Sequence, residues 1–408
     1  MIIQLISCVK KSEVGSGKPE VQALEIKTGA ERTHLYLHYL KDKNVAVVAN
    51  QTSILEKRRK RKEERGKRKE EREERKEKRH THLVDSLLSL GIKLKKVFAP
   101  EHGFRGKADA GEIVKDGLDG KTGLPIISLY GKNKKPSVKQ LAGIDVVVFD
   151  IQDVGVRYYT YISTLHYVLE ACAEAEIKVI FLDRPNPNGH YVDGPVLELE
   201  HKSFVGMHKV PVVYGMTIGE YGQMINGEKW LKNGIKCDLT IIPLENYTHT
   251  SEYSLPIKPS PNLPNATSIN LYPSLCFFEG TTISVGRGTD KQFQIVGSPH
   301  LKLKKFNFEF TPKPNEGAKY PKYKGKTCYG YDLRKEEKLN KIELKWLIDF
   351  YKTHKNHKFF NSFFTKLAGT KKLQQQIEQG FSEIEIRKTW ESDLNEFQKI
   401  RKHYLLYK

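Results

Sequence analysis

The chain reads VVVFDIQDVGVRYYTYISTL over residues 146–165, and this stretch sets the class of the fold. Its first four residues are an apolar run rich in valine, as expected for a strand with both faces covered. A polar loop follows, and apolar side chains then recur at helical spacing at Ile162, Leu165, Val168, Leu169 and Cys172. A buried strand followed directly by an amphipathic helix predicts an α/β protein with a parallel sheet.

Similar strand-like runs occur elsewhere in the first two thirds of the chain. They are VAVVA at 45–49, LKKVFA at 94–99, PIISL at 125–129, VIFLD at 179–183 and LTII at 239–242. Helical patterns lie between them: residues 81–90 would begin at a Thr81 cap, and Thr217 with Glu220 forms a capping box. The alternation predicts a doubly wound, mainly parallel sheet over residues 21–268.

A second, smaller region is expected over residues 269–408, with an α+β composition. It has a strand-like segment at 306–311 and then amphipathic helices. The last helix carries Trp390, Leu394, Phe397, Arg401 and Tyr404 on one face. This face predicts that the C-terminus docks onto a core and has a packing role.

The charge is strongly positive, but one segment concentrates a large part of it. The formal net charge is +20, and residues 56–79 hold 15 Lys and Arg against eight Glu. The segment has no apolar face, so we expect an exposed, largely helical insertion that catalysis does not need. The alternative is that it binds nucleic acid, which salt would weaken.

The first residues suggest export. Residues 1–8 read MIIQLISC, and Leu5-Ile6-Ser7-Cys8 resembles the lipobox at which bacterial lipoproteins are cleaved and lipidated. The apolar part is shorter than an ordinary signal peptide requires. We expect residues 1–20 to be a signal remnant and tether, with a lipid anchor at Cys8 as the only contact with a membrane. The protein would then be periplasmic or membrane-anchored.

Several mechanistic classes lack sequence support. The cysteines show no metal-finger spacing and no CxxC pair, which argues against a zinc site or a catalytic thiol. No phosphate loop of the form GxxxxGK[ST] and no GxSxG occurs, and Gly286-Arg287-Gly288 alone is weak support for a nucleotide. We therefore expect neither a metal nor a cofactor.

Candidate catalytic groups follow the predicted strands, because ligands of open parallel sheets bind outside the carboxyl ends of the strands. Glu101 follows the strand at 94–99, with His102 and Arg105 close behind. A buried carboxyl group there suits a general acid. The alternative is a loop salt bridge between Glu101 and Arg105.

Two further strand ends carry candidate saccharide contacts. After residue 150 come Asp153, Arg157, Tyr158, Tyr159 and Tyr161, and after residue 183 come Arg184 and Asn186. Aromatic rings suit the apolar faces of sugars, and a guanidinium suits a carboxylate. The competing interpretation is a structural network that ties the loop to the helix. For Asp183 and Arg184, which directly end a strand, the sequence supports the two interpretations equally.

Glu279 is a second candidate carboxylate, followed by Arg287, where the chain enters its second region. A cleft between two regions is a common ligand site. The segments FAPEHGFRG (98–106), VVFDIQDVGVRYYTYISTL (147–165), LDRPNPNG (182–189) and FFEGTTISVGRGTDKQFQIVGSP (277–299) closely resemble the exo-β-N-acetylmuramidase family of bacterial cell-wall recycling.

The resemblance spans residues 44–407 apart from the charged insertion, which departs from the family pattern. It implies a Rossmann-like domain that uses no nucleotide, a smaller C-terminal domain and an active site between them. It also implies release of non-reducing-terminal N-acetylmuramic acid from peptidoglycan fragments. We expect acid/base glycoside hydrolysis, with Glu101 as the general acid and Glu279 as its partner.

One of four arginines, Arg105, Arg157, Arg184 or Arg287, is expected to bind the lactyl carboxylate that distinguishes N-acetylmuramic acid from N-acetylglucosamine. Two rival functions remain. The first is a non-catalytic cell-wall saccharide-binding lipoprotein, which would bind muramyl fragments without releasing product. The second is nucleic-acid binding through residues 56–79.

Overall fold

A seven-stranded sheet organises the first part of the chain in the computed structural model, which describes residues 24–57, 79–105, 112, 115–301, 306–354 and 358–408. The strands are β1 Val45–Ala49, β2 Ile54–Lys57, β3 Arg79–His82, β4 Leu94–Ala99, β5 Gly117–Leu118, β6 Pro125–Ser128, β7 Val146–Asp150, β8 Lys178–Leu182, β9 Leu239–Ile242, β10 Ile295–Ser298, β11 Phe308–Phe310 and β12 Cys328–Asp332.

The helices cover the sheet and build most of the second part. They are α1 Leu37–Leu40, α2 Leu83–Ser89, α3 Val138–Leu141, α4 Tyr161–Glu174, α5 Ile218–Gly227, α6 Ala266–Leu275, α7 Lys345–Thr353, α8 Ser362–Ala368, α9 Lys372–Glu378, α10 Glu383–Lys388 and α11 Glu391–Lys402. None of the described helices is long and apolar enough to span a bilayer.

The order of the large sheet is β5-β6-β4-β1-β7-β8-β9. All neighbours pair in parallel except β5, which runs antiparallel to β6 at the edge. In sequence order the six parallel strands are arranged 3-2-1-4-5-6, which is the order of doubly wound α/β folds. The predicted fold class is therefore confirmed, and every predicted strand of this sheet lies within one residue of its observed bounds.

Burial explains why the strands can be recognised in the sequence. Every residue of β1 and β7 is buried, because helices cover both faces of the sheet. On α4, all five residues of the predicted apolar stripe are buried. The capping box at Thr217 is also present: its hydroxyl accepts from the Glu220 amide, and the Glu220 carboxylate accepts from the Thr217 amide.

A small hairpin replaces part of the predicted helical insertion. Strands β2 and β3 pair antiparallel, with Glu56 opposite His80 and Lys57 opposite Arg79. The two ends of residues 56–79 are therefore strand, while residues 58–78 lie outside the described chain. Thr81 belongs to β3, so the expected Thr81 cap is wrong. Instead the His82 ring caps α2 by accepting from the Val84 amide.

The second part contains a three-stranded antiparallel sheet in the order β10-β12-β11, with helices α7 to α11 around it. One hydrophobic cluster joins it to the first part, since it includes Phe149 of β7, Tyr272 of α6 and Phe397 of α11. The C-terminal helix docks as predicted: Phe397 is buried, and the Arg401 guanidinium donates to the Gly215 carbonyl. The proposed anchor at Cys8 lies outside the described residues.

Candidate active site

A cavity of about 510 Å³ opens at the carboxyl edge of the large sheet. Its walls come from the loops after β4, β6 and β7 and from the region that begins with α6. The strand order reverses between β1 and β7, so this edge is the topological switch point at which doubly wound sheets bind ligands. Glu101 and Glu279 both line this cavity, one from each part of the chain.

Glu101 is held in a sharp turn after β4. The turn is made by His102 and Gly103, whose φ angles of 71° and 76° place both residues in the left-handed region. Glu101 is only 8% exposed, and the Thr160 hydroxyl donates to its Oε2 at 2.6 Å. A hydroxyl can also accept, so this contact serves both the protonated and the ionised carboxyl group.

Tyr130 is the second hydroxyl beside Glu101. It follows β6, lines the cavity and lies close enough to the Glu101 carboxylate to interact with it. Burial and the negative charge of Glu101 together raise the pKa of the Tyr130 hydroxyl above its ordinary range. Tyr130 therefore stays a neutral hydrogen-bond partner and fixes the direction of the carboxyl group.

Glu279 lies in the 3-10 helix Cys276–Gly280 and is paired with Arg287. The Arg287 Nε lies 3.2 and 3.1 Å from the two Glu279 carboxylate oxygens, and the guanidinium rests 5.1 Å from the centroid of the Phe293 ring. Lys322 fixes the backbone around this pair by donating to the carbonyls of Thr281 and Ile283 at 2.7 and 2.8 Å. The two carboxylates of the cavity thus have different surroundings.

Three predicted tyrosines form an aromatic wall. Tyr158, Tyr159 and Tyr161 all line the cavity, and Tyr159 meets Tyr161 edge to face at 4.9 Å. Their hydroxyls face protein groups: Tyr158 donates to the Pro273 carbonyl and Tyr159 to the Pro259 carbonyl. These tyrosines present ring surface to the cavity and tie its two sides together.

Three of the predicted arginines serve other partners. Arg105 forms a two-point contact with Asp119, at 3.1 and 2.7 Å. Arg184 does the same with Asp150, at 2.6 and 2.9 Å, and both residues are buried. Neither arginine is among the described residues that line the cavity with Glu101. The alternative of a salt bridge between Glu101 and Arg105 does not occur, because Arg105 turns to Asp119.

Arg157 has a structural environment. It is fully buried, and its guanidinium donates to the carbonyls of Pro195, Val210, Leu367 and Ala368. Burial lowers its pKa to about 10, which still leaves it protonated at neutral pH. Two of these carbonyls belong to the first part of the chain and two to the second, so Arg157 joins the two parts. Arg157 is not among the described residues that line the cavity.

Asp153 and Asn186 also lie behind the cavity wall. Asp153 accepts hydrogen bonds from the Tyr214 hydroxyl and the Gly155 amide. Asn186 donates to the Met216 carbonyl and accepts from the Asn188 amide. Both residues are buried and stabilise the loops after β7 and β8. For them the structural interpretation prevails over a direct saccharide contact.

Several lining residues were not singled out from the sequence. Tyr130 and Lys134 follow β6, where the loop carries neither a carboxylate nor a recognisable motif. Thr160 lies among three tyrosines of the loop after β7, and a single threonine hydroxyl gives no distinctive sequence signal. Phe204 and Phe363 belong to distant segments, so only the fold brings them to the cavity.

One group among the described residues has the composition of a metal site. Ligand atoms of Glu198, Glu200 and His201 lie within 4.8 Å of one another. None of these residues lines the cavity of Glu101, and Glu198 is already paired with Lys372 at 2.7 Å.

Comparisons with known proteins identify related sequences and structures. Family models named exo-β-N-acetylmuramidase NamZ match residues 45–267 (N-terminal) and 270–407 (C-terminal). A peptidoglycan β-N-acetylmuramidase NamZ from Bacillus subtilis (strain 168) is 38% identical over 338 residues, covering 78% of this chain and 80% of the relative.

Two crystal structures of DUF1343 family proteins from Bacteroides fragilis NCTC 9343 are also similar. One is 42% identical with a TM-score of 0.81, and the other is 26% identical with a TM-score of 0.76. Each match covers 94% of this chain and 99% of the solved chain. The chain belongs to the exo-β-N-acetylmuramidase family.

Proposed function

We propose that this protein releases N-acetylmuramic acid from the non-reducing ends of peptidoglycan fragments, by acid/base catalysis in the cavity that Glu101 and Glu279 line. The observation that carries the proposal is this pair of carboxylates, which comes from distant parts of the chain and faces one cavity. Most glycoside hydrolases use such a pair, one to protonate the leaving oxygen and one to act as base or nucleophile.

The surroundings of the two carboxylates suggest their roles. Glu101 is buried and contacts hydroxyl groups, which can accept from a protonated carboxyl group or donate to an ionised one. This suits a group that gives up a proton and later recovers it. Glu279 forms an ion pair with Arg287, and in the proposal it is the partner carboxylate that faces the developing positive charge of the sugar.

A neighbouring cavity offers room for the rest of the saccharide. It has a volume of about 680 Å³, and Ser260 lines both cavities. Gly288 lines the second cavity, while its neighbour Arg287 lines the first. In the proposal the terminal sugar occupies the cavity of Glu101, and the leaving saccharide extends toward the second cavity.

The first test compares matched chromogenic β-glycosides of N-acetylmuramic acid and N-acetylglucosamine. Release of the chromophore from the muramic acid glycoside, with slow or no release from the other, is the expected result. Equal rates would remove the substrate assignment. Binding of the muramic acid glycoside without release would instead indicate a saccharide-binding protein.

A second test examines the exo mode. A saccharide with N-acetylmuramic acid at its non-reducing end should be cleaved, whereas the same saccharide capped there by N-acetylglucosamine should resist. Mass spectrometry of the products distinguishes the two. Cleavage of the capped substrate at the same rate would contradict exo action.

We also propose that the protein is exported and anchored to a membrane through Cys8. The support is the sequence Leu5-Ile6-Ser7-Cys8 and the extracytoplasmic location of peptidoglycan. In cells that express the gene, the protein should fractionate with membranes, and a Cys8→Ala variant should not. An unchanged distribution of that variant would exclude the anchor.

A further inference from the structure

The positive charges around the cavity are unequally engaged. Among the described residues that line it, the lysine and arginine side chains are those of Lys134 and Arg287. Arg287 is paired with Glu279 through two nitrogens. Binding a ligand carboxylate through Arg287 would therefore weaken its contact with Glu279, and breaking such a partly buried pair is unfavourable.

Lys134 has no such engagement. Within the described part of the chain its ammonium forms no ion pair, and it lies 4.5 Å from the centroid of the Phe204 ring. The next residue points elsewhere, since Lys135 binds Glu170 and Glu174, each at 2.7 Å. Lys134 is thus the cation of the loop after β6 that faces the cavity.

The Phe204 ring beneath this ammonium is firmly held. Its backbone carbonyl accepts from the Ser163 hydroxyl at 2.7 Å, and Tyr167 stacks parallel to the ring at 6.4 Å. Tyr130, which contacts Glu101, lies 6.1 Å from the same ring. An ammonium over a fixed aromatic face is partly withdrawn from water, which strengthens its attraction for an anion.

We propose that Lys134 binds the lactyl carboxylate of N-acetylmuramic acid and so selects this sugar over N-acetylglucosamine. The proposal rests on the proposed function and replaces the expectation that one of four arginines performs this task. Lys134 belongs to the same loop as Tyr130, so the carboxylate contact and the proton-transfer group would be oriented together. The lysine acts in binding and takes no part in the transfer of the proton.

The experiment uses two glycosides that differ only at the lactyl carboxylate, which is charged in one and neutral in the other. One is a chromogenic β-glycoside of N-acetylmuramic acid, and the other carries the lactyl group as its neutral methylamide. The Lys134→Met variant removes the charge and keeps an apolar stem, and Lys134→Arg keeps the charge. Lys132→Met is the control, because Lys132 is an exposed lysine of the same loop outside the cavity wall.

For Lys134→Met, kcat/KM on the acid should fall about tenfold to hundredfold, as expected for a lost hydrogen bond to a charged group, with most of the change in KM. Its kcat/KM on the methylamide should stay within about twofold of the parent value. Lys134→Arg should recover most of the loss, and Lys132→Met should match the parent. Equal losses on both glycosides, or no loss on the acid, would overturn the proposal.

Failure of the proposed function can be told apart from failure of this inference. If the parent protein releases neither sugar, titration calorimetry with free N-acetylmuramic acid and N-acetylglucosamine provides the answer. Preferential binding of the acid that disappears in Lys134→Met supports the role of Lys134. Preferential binding that survives in Lys134→Met, or no preference in the parent protein, contradicts it.

Discussion

The two glutamates of the cavity carry the same carboxyl group but contact different partners, Thr160 for Glu101 and Arg287 for Glu279. Replacing Glu101 by Gln keeps the shape of the side chain and its contact with Thr160 but removes the transferable proton. Because positioned acid/base groups contribute about 10² to 10⁴ in rate, turnover should fall by that factor. Chromogenic hydrolysis measures the rate, and an unchanged melting temperature excludes unfolding. Near-normal turnover would remove Glu101 from the mechanism.

A buried carboxyl group behind the wall gives a prediction on stability. Burial raises the pKa of Asp153 to about 6, although Tyr214 and Gly155 donate to it. Its ordinary pKa is about 3.9. The folded state therefore holds the Asp153 proton more tightly than the unfolded state, and this stabilisation is complete below about pH 4 and lost as the pH rises through 6.

Asp153→Asn removes that titration and leaves one oxygen to accept from Tyr214 and Gly155. Relative to the parent protein, the free energy of unfolding of the variant should rise by about 2 to 3 kcal/mol between pH 4 and pH 7. Urea denaturation at several pH values measures it. The control is Asp393→Asn, on the exposed face of α11, whose free energy of unfolding should vary with pH as that of the parent protein does. A parallel curve for Asp153→Asn would contradict the prediction.

Among the elements, the β2–β3 hairpin explains how the fold carries a charged insertion. Its register brings Lys57 opposite Arg79, so the two described residues that flank the insertion are adjacent. Insertions between adjacent ends add little closure entropy, about 0.6 kcal/mol per doubling of length. The base of the hairpin is anchored, because the Leu83 amide donates to the Ser53 carbonyl at 2.7 Å.

Replacing residues 58–78 by Asn-Gly, a favoured two-residue hairpin turn, should leave hydrolysis and melting temperature nearly unchanged. Deleting residues 56–79 and joining Leu55 directly to His80 should lower the melting temperature, since it also removes paired residues of both strands. Loss of activity in an Asn-Gly variant that melts normally would show that the insertion reaches the active site.

At the scale of the whole molecule, the last residues close onto the first sheet. The Tyr407 hydroxyl donates to Asp183 at 2.6 Å and accepts from the Leu244 amide at 2.9 Å. The Leu406 amide donates to Glu220 at 2.7 Å. Asp183 and Glu220 are completely buried, so they depend on these donors.

Removing residues 405–408 should destabilise the protein by about 2 to 4 kcal/mol, because buried acceptors lose their partners. Tyr407→Phe keeps the ring and loses only the hydroxyl, so its melting temperature should fall between those of the parent and the truncated chain. Thermal unfolding followed by circular dichroism measures all three. A truncated chain that melts like the parent would show that the C-terminus contributes nothing to the core.

The amino-acid sequence alone predicted the strands of the large sheet and singled out Glu101 and Glu279, two glutamates that line the cavity. Buried parallel strands must be apolar on both faces, so β1 and β7 could be located from composition. Ligands bind at the carboxyl ends of such strands, which predicts that Glu101, directly after β4, lies at the ligand site. Both properties are local, because each depends on residues that are neighbours in the chain.

Only the tertiary structure decided which charges remain for a ligand. The partners of Arg105, Arg184 and Arg157 lie 14, 34 and up to 211 residues away. The sequence shows that a guanidinium is present. Its charge is available to a ligand only if it is not already paired with another group inside the protein. That depends on contacts between distant segments, and these contacts leave Lys134 facing the cavity while the arginines pair within the protein.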